Sequence, residues 1–258
     1  MNEATTFLES HPLLLVFICS LTGYLLGSIS FARIIFRSAT KGSDLEFYSE
    51  PIEGTDEKFE TDFVSASLVN KRIGAKYGCL TSIADMLKVA LPALIARFLF
   101  TSEPYFLIIP IFGILGHYLP VYYNFIGGRG ETIMMGAMLV VNWIGTLIVF
   151  AASTILGFIT GSVIVLRYMG YFLMIFWLWY HYGDYRYGLF MFILYGLFWF
   201  SMRKEIALLI VLRKKGLWND TNEQLSEKMF MGRQIGRAID NYSIPALFRK
   251  FRSGKTSK

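Results

Sequence analysis

The chain has little of what soluble and secreted proteins depend on. Two cysteines and three histidines in 258 residues exclude a disulfide framework and leave no metal-ligand spacing. Only 17% of the residues are charged, against roughly a quarter in an average soluble domain. With 54% hydrophobic residues and a mean hydropathy of +0.47, neither a soluble single domain nor a disordered chain is compatible with the composition. Alternating segments of about ten residues, typical of an outer-membrane barrel, are also missing. A polytopic helical membrane protein remains.

Long apolar runs predict an all-α fold with about seven transmembrane helices, several of them short. A span needs about 20 residues to cross the hydrocarbon core. The run 132–166 would be about 52 Å long as one helix, which predicts two spans and a bend between Asn142 and Thr154. The other predicted spans are 12–36, 77–100, 105–125, 168–180 and 187–201.

The positive charges predict the orientation in a cell membrane. With the N-terminus outside, the inner segments 37–76, 127–131, 167 and 202–258 hold 21 of the 25 lysine and arginine residues, as the positive-inside rule expects. We therefore predict a multi-pass protein with a cytoplasmic C-terminus. Residues 1–204 would form the transmembrane domain, with an acidic inner loop at 37–76, and 205–258 a basic cytoplasmic tail.

Two polar segments have alternative interpretations. The tail is interpreted as solvated chain that touches anionic lipid headgroups, and a nucleic-acid partner is not expected because no recognisable RNA- or DNA-binding module is present. The acidic stretch 44–62 is interpreted as a solvated loop, with a regulatory or partner contact as the alternative.

The strongest local signal is a glycine loop, Gly127-Gly128-Arg129-Gly130. Glycines free the backbone to turn several N–H groups toward one anion. The next helix is predicted to begin at Glu131, and its N-terminal dipole favours negative charge. Arg129 adds a bidentate phosphate donor. The loop is therefore a candidate phosphate site, and the alternative is a plain tight turn.

Three ionisable residues fall within predicted spans. Asp85 and Lys88 are three apart, hence on one helical face, and His117 is placed near the middle of the third span. Ionisable residues inside a membrane are functional candidates. The alternatives are a self-neutralising Asp–Lys pair and a histidine that only packs.

Together these motifs resemble those of the integral-membrane glycerol-3-phosphate acyltransferases that use acyl-phosphate as donor. The resemblance covers roughly residues 21–204. Four stretches carry it: Gly27-Ser28-Ile29-Ser30-Phe31, the segment 72–78, Asp85 with Lys88, and Gly116-His117 through Pro120 with the glycine loop.

The resemblance implies acyl transfer from acyl-phosphate to glycerol 3-phosphate, giving lysophosphatidic acid and phosphate in phospholipid biosynthesis. It implies no cofactor and no metal, and membrane lipids as surroundings. His117, Lys88 and Ser28 would be catalytic. The substrate-binding residues would be Gly127, Gly128, Arg129, Gly130, Asp85, Arg167 and Arg203.

The chain departs from the family pattern at several polar positions. Leu68 stands where the family has asparagine, Gly170 where it has serine, and 202–205 where it has His-Arg-Glu-Asn, of which Arg203 is kept. Besides an active acyltransferase, with these or related phosphate-bearing substrates, two alternatives stay open. One is a catalytically impaired relative that binds an anionic lipid or lipid precursor. The other is a transporter or channel, which matched broken helices in two halves would indicate.

Overall fold

The computed structural model describes residues 3–45, 48–51, 58–61, 63–214, 222–228 and 233–254. Nine of the nineteen residues of the acidic stretch 44–62 therefore lie outside the described residues. The chain forms two compact units, one of residues 1–142 and 193–204 and the other of residues 143–192 and 205–258. Thirteen α-helices, two short 3-10 helices and one antiparallel strand pair lie within the described residues.

The helices are α1 Glu3–Glu9, α2 Pro12–Ser28, α3 Phe31–Ala39, α4 Ala66–Ile73, α5 Ala75–Leu99, α6 Ile108–Tyr118, α7 Glu131–Thr160, α8 Val163–Tyr182, α9 Tyr185–Ser201, α10 Arg203–Lys214, α11 Asn222–Lys228, α12 Arg233–Tyr242 and α13 Ile244–Gly254. The strands are β1 Tyr48–Pro51 and β2 Lys58–Thr61, and the 3-10 helices are Tyr105–Leu107 and Val121–Tyr123.

Five helical segments in the described part of the chain are long and apolar enough to cross a membrane. They are Pro12–Ala39, Ala75–Leu99, Tyr105–Tyr123, Glu131–Thr160 and Val163–Tyr182. The prediction of an all-α, multi-pass membrane protein is therefore confirmed. The count of about seven spans is not, since α9 has 17 residues and falls below the length of about 20 that a span usually needs.

The first predicted span is not one helix. It breaks between α2 and α3, where Ile29 and Ser30 take extended backbone angles (ψ 120° and 92°). The apolar run continues through the break, so hydropathy contains no signal of it. The cause is tertiary, because the backbone groups that the break frees find partners on α5, as described below.

The boundaries inside 132–166 also differ from the prediction. The bend is found at Asn142 (φ −156°, ψ 89°), at one end of the predicted interval. The helix then runs on to Thr160, so the boundary predicted near residue 166 is wrong, and Arg167 lies in the second turn of α8. The actual turn is made by Gly161, at φ +68°, and by Ser162, whose hydroxyl accepts from the N–H of Val165 at 3.4 Å and caps α8.

Glycines bring α2 and α6 into close contact in the first unit. A Cβ atom at Gly27 would overlap the backbone of Gly113, and one at Gly116 would overlap the carbonyl of Tyr24. Small residues at such spacing allow membrane helices to pack backbone to backbone. This contact brings the end of α2, at Ser28, to the end of α6.

The bend in α7 is held by an arginine of α5. Arg97 donates from Nη1 to the carbonyls of Val140 and, at 3.1 Å, Val141. Its guanidinium also lies over the ring of Phe106, 5.4 Å from the centroid. A bend disturbs the helical hydrogen bonding around it, and here one cation donates to two carbonyls next to the bend.

Replacing Arg97 by methionine is therefore expected to lower the free energy of unfolding by about 2–3 kcal/mol, since two carbonyls lose a charged donor. The measurement is denaturant unfolding in detergent. Lys76→Met, on the exposed start of the same helix, is the control and should cost less than about 0.5 kcal/mol. Equal costs for the two variants would contradict the role given to Arg97.

In the second unit, the C-terminal helices dock at the turn between α7 and α8. Asn222 accepts from the N–H of Val163 at 3.1 Å and donates to the carbonyl of Gly161 at 3.0 Å. Its amide also donates to Asp240 of α12 at 2.8 Å. Nearby, the hydrogen bond from Arg237 to Glu223 holds the pKa of that half-buried carboxyl below its usual range. Helices α11 and α12 are thus tied to the ends of two apolar helices.

Candidate active site

A buried polar cluster joins α5 to the end of α6 in the first unit. Lys88 Nζ lies 2.8 Å from Asp85 Oδ1, 3.0 Å from His117 Nδ1 and 2.6 Å from the carbonyl oxygen of Ile29. The side chains of Asp85 and Lys88 are each 2% exposed. An ammonium group has three N–H donors, and each of them has an acceptor here. The pair is therefore part of a larger network and does more than neutralise itself.

His117 occupies the last turn of α6, three residues beyond the centre of the apolar segment Tyr105–Tyr123. The helix ends at Tyr118, two residues before Pro120, because the residue before a proline disfavours helical backbone. Since Lys88 donates to Nδ1, the proton of a neutral imidazole sits on Nε2. His117 therefore presents an N–H donor on its far side.

Asp85 and Lys88 also complete the hydrogen bonding of the broken first span. Lys88 donates to the carbonyl of Ile29, next to the end of α2. Asp85 accepts from the backbone N–H of Phe31, the first residue of α3. A carboxylate at a helix N-terminus satisfies a free donor and interacts well with the helix dipole. One acid–base pair on α5 thus holds both sides of the break.

Ser28 is buried at this break. Its hydroxyl donates to the carbonyl of Tyr24 at 2.8 Å and accepts from the N–H of Val121 at 3.4 Å. The latter contact ties the end of α2 to the 3-10 helix Val121–Tyr123, which leads to the glycine loop. Ser28 therefore links two of the predicted motifs.

The glycine loop lies against His117. The N–H of Gly128 donates to the carbonyl of His117 at 2.9 Å, and the carbonyl of Gly127 accepts from Val64 at 3.0 Å. A Cβ atom at Gly128 would overlap Nε2 of His117, so the imidazole approaches the loop as closely as glycine allows. Gly130 adopts φ +83°, a backbone conformation that favours glycine, and α7 begins at Glu131 as predicted.

These contacts reduce the number of backbone N–H donors that the loop can offer to a ligand. Three N–H groups were predicted to bind phosphate, and that of Gly128 already serves to hold the loop to α6. The segment at Phe63 and Val64 was not predicted to belong here. Both residues are buried, and the apolar character of Phe63-Val64 directly after an acidic stretch is the only sequence signal that points to them.

Three arginines of the first unit stand around this cluster. Arg129 lies over the ring of Phe63, 5.4 Å from the centroid. Arg203 donates to the hydroxyl of Tyr118, the neighbour of His117, and lies 4.2 Å from the centroid of Phe200. Arg129 is part of the loop, and Arg203 lies against the end of α6; their binding of phosphate stays a prediction.

The third arginine, Arg33, was not predicted as a site residue. It lies on α3, one turn beyond the break, 4.6 Å from the ring centroid of Tyr123. Its Nη1 atom is buried and has no hydrogen-bond partner in the described part of the chain, and its charge acts on His117. The sequence signal was the lone basic residue inside the first apolar run.

A family model for glycerol-3-phosphate acyltransferase matches residues 17–212, about three quarters of the chain. The chain belongs to this family. A glycerol-3-phosphate acyltransferase of Aquifex aeolicus is 34% identical over 120 residues, which cover 46% of this chain and 56% of the relative. One of Desulfotalea psychrophila is 35% identical over 144 residues, covering 53% and 66%. The chain spans about half the length of most curated acyltransferases that it matches.

The fold also matches a solved acyltransferase structure. The crystal structure of PlsY, an integral membrane glycerol 3-phosphate acyltransferase, in its glycerol 3-phosphate form has a TM-score of 0.59 at 24% identity. The match covers 77% of this chain and 93% of that one. At this identity the likeness concerns the fold.

At the positions where this acyltransferase family member departs from the motifs, the structure shows the following local contacts. Leu68 is buried, and its N–H donates to the capping hydroxyl of Ser65 at 3.3 Å. In the second unit, the N–H of Gly170 donates to Ser153 at 2.9 Å. Met202 is buried beside Arg203.

Arg167, the remaining predicted site residue, belongs to the second unit. It lies on α8 with its guanidinium 5.5 Å from the ring centroid of Tyr168. The structure thus brings together several predicted site residues in the first unit, namely Ser28, Asp85, Lys88, His117, the glycine loop and Arg203. The roles that the sequence resemblance implies for these residues stay predictions.

Proposed function

We propose that this protein transfers an acyl group from a long-chain acyl-phosphate to a hydroxyl of glycerol 3-phosphate, as a step of phospholipid biosynthesis. The observation that carries the proposal is the position of His117, held by Lys88 on one side and facing the glycine loop on the other. A fixed N–H donor beside a loop of this kind suits a reaction in which negative charge develops on an oxygen.

In the proposed reaction, the hydroxyl oxygen of glycerol 3-phosphate forms a bond to the carbonyl carbon of the donor. The bond between that carbon and the phosphate oxygen breaks, and the leaving phosphate keeps the electron pair. The hydroxyl proton ends on this phosphate. The products are lysophosphatidic acid and inorganic phosphate, and no cofactor enters.

The residues divide into contact and positioning roles in this proposal. His117 donates to a substrate or to the developing oxyanion, and Ser28 contacts a substrate as an acceptor. Lys88 and Asp85 position them through the break and through Nδ1. Backbone N–H groups of the loop other than that of Gly128, with the side chains of Arg129 and Arg203, bind phosphate. Arg167 on α8 is a further phosphate contact carried over from the family resemblance.

We assign Arg33 to the phosphate of one substrate, because a buried guanidinium nitrogen without a partner favours an anion. Arg33→Gln is expected to raise KM for glycerol 3-phosphate about tenfold or more, as loss of a charge-assisted contact would, while kcat changes less. Arg37→Gln, exposed on the same helix, is the control. A change of kcat alone would place Arg33 outside substrate binding.

The glycine at 128 is expected to be required for the approach of His117. Gly128→Ala places a methyl group on Nε2 and 2.8 Å from the carbonyl of Val64, so phosphate release should fall about tenfold to a hundredfold through misplaced donors. Gly196→Ala is the control, because a Cβ at Gly196 meets nothing within 4 Å. Full activity of Gly128→Ala would contradict this arrangement.

The function itself is tested with the purified protein in nanodiscs. Palmitoyl-phosphate and glycerol 3-phosphate should yield phosphate and lysophosphatidic acid in equal amounts, whereas palmitoyl-coenzyme A should not replace the donor. Turnover with coenzyme A thioesters alone would overturn the choice of donor. If the folded protein shows no turnover with any acyl donor, the proposal that it is an active acyltransferase is wrong.

A second candidate is a catalytically impaired relative that binds an anionic lipid or lipid precursor. The observation that favours it is Leu68, an apolar, buried residue at a position where the family has a polar one. Binding of lysophosphatidic acid without turnover would support it. Turnover that Arg129→Ala abolishes would exclude it.

The proposal includes the topology and domain division predicted from the sequence. The N-terminus lies outside and the C-terminus in the cytoplasm of a cell membrane, with residues 1–204 as the acyltransferase-like membrane domain and 205–258 as the basic tail. A reporter fused after Lys258 that is active only in the cytoplasm should be active. A reporter active only on the outer side would reverse the orientation.

A further inference from the structure

Helix α13 exposes its large apolar residues, whereas a surface helix of a soluble protein usually buries them. Its large apolar residues are exposed: Ile244 45%, Leu247 50%, Phe248 72% and Phe251 76%. The small residue Ala246 is instead buried at 2%. Residues spaced by three, four and seven positions share one face of a helix, and Ala246 points to the opposite side. The helix therefore packs on the protein through its small side and directs an apolar face, defined by residues 244, 247, 248 and 251, away from it.

The beginning of this helix lies at the ends of membrane-spanning helices. A Cβ atom at Gly161, in the turn between α7 and α8, would lie 3.1 Å from Pro245 and 3.2 Å from the hydroxyl of Ser243. Asn222 and Asp240 tie the preceding helices to the same turn. Since α7 and α8 both qualify as membrane spans, their turn lies at a membrane surface, and so does the start of α13.

The charge of α13 complements one kind of surface. Lys250 and Arg252 are exposed beside the apolar face, Arg249 is exposed on the side of Ala246, and the helix contains no acidic residue. Basic residues flanking an apolar face are typical of helices that lie in the plane of a bilayer, where anionic headgroups attract lysine and arginine.

We propose that α13 is an interfacial helix that inserts its apolar face into the bilayer in which the protein resides, at a surface rich in anionic lipid. The occupant of the exposed face is therefore lipid, not a second protein. The acyl chains receive Leu247, Phe248 and Phe251, and the headgroups contact Lys250 and Arg252. The proposal is independent of the reaction, because it rests on the second unit alone.

The test uses the full chain in nanodiscs that hold one protein each. In a Cys19→Ala, Cys79→Ala background, an environment-sensitive fluorophore is attached to Phe248→Cys or, as the matched control, to Arg249→Cys. Nanodiscs contain phosphatidylcholine with 30% phosphatidylglycerol, and a nitroxide on the acyl chains serves as quencher. Both positions are exposed, so neither substitution removes a buried contact.

Quenching is expected to be about threefold stronger at position 248 than at 249, because an interfacial helix buries only one face in the acyl-chain boundary. Exchanging Lys250 and Arg252 for glutamine should weaken the quenching at 248, as should nanodiscs of phosphatidylcholine alone. Equal, weak quenching at both positions would overturn the proposal. A blue-shifted fluorophore at 248 that the lipid nitroxide does not quench would also overturn it, since protein and not lipid would then cover the face.

Discussion

Replacing Lys88 by methionine is expected to lower the free energy of unfolding by about 3–5 kcal/mol, since it leaves a buried carboxylate without its ion-pair partner. The carbonyl of Ile29 and Nδ1 of His117 lose their donor at the same time. Lys76→Met is the matched control, the same exchange on the same helix at an exposed position, and should change stability by less than about 0.5 kcal/mol. Unfolding is followed in detergent by denaturant titration.

A double-mutant cycle separates the ion pair from the break that it holds. Asp85→Asn with Lys88→Met removes both charges and keeps an amide oxygen for the N–H of Phe31. Because the uncompensated charge is the largest part of the loss, the double variant should be more stable than Lys88→Met alone. Additive losses would show instead that the two residues act separately.

Opening of the break between α2 and α3 can be measured separately from global stability. In the double variant, Ile29 still lacks its lysine donor, so the junction of α2 and α3 should open more often than in the unchanged protein. Faster hydrogen exchange of the amides at the start of α3 would show this. Unchanged exchange there, together with the large loss for Lys88→Met, would assign the whole effect to the buried charge.

The break also shows where sequence reasoning fails. Composition and apolar runs suffice for the fold class, because burial in lipid requires long helices wherever polar residues are scarce. They do not show that 12–36 is interrupted, since Ile29 and Ser30 fit an apolar helix as well as a break. The interruption depends on Asp85 and Lys88, which are more than 50 positions away in the chain.

The candidate site likewise contains residues that the sequence predicted and residues that it did not. Gly128, His117 and Lys88 were predicted because glycine runs and charges inside spans are rare and costly. Val64 and Arg33 were not, because an apolar residue after an acidic stretch and a cation near a helix end are common in membrane proteins. The sequence does not show which distant segments come into contact. The close approach of Gly128 to His117 is therefore visible only in the folded chain.

His117→Ala is expected to lower kcat for phosphate release about 10²–10³-fold, the usual cost of losing one donor to a developing oxyanion. The contact from Lys88 to Nδ1 leaves Nε2 as the donating nitrogen, so the two amide replacements should differ. In glutamine the amide nitrogen reaches about as far as Nε2 and still donates. In asparagine the polar group reaches only about as far as Nδ1 and cannot replace the donor.

Activity should therefore recover substantially in His117→Gln and remain near the alanine level in His117→Asn, with kcat measured from phosphate release at saturating substrates. The thermal midpoint of each variant serves as the control for folding. Neither amide takes up a proton in the neutral range, so a donor role also predicts that the pH profile of His117→Gln keeps only the titration of the substrates. If histidine instead removes the hydroxyl proton, glutamine is as inactive as alanine, and the direction of the Lys88–His117 hydrogen bond would have to be assigned the other way.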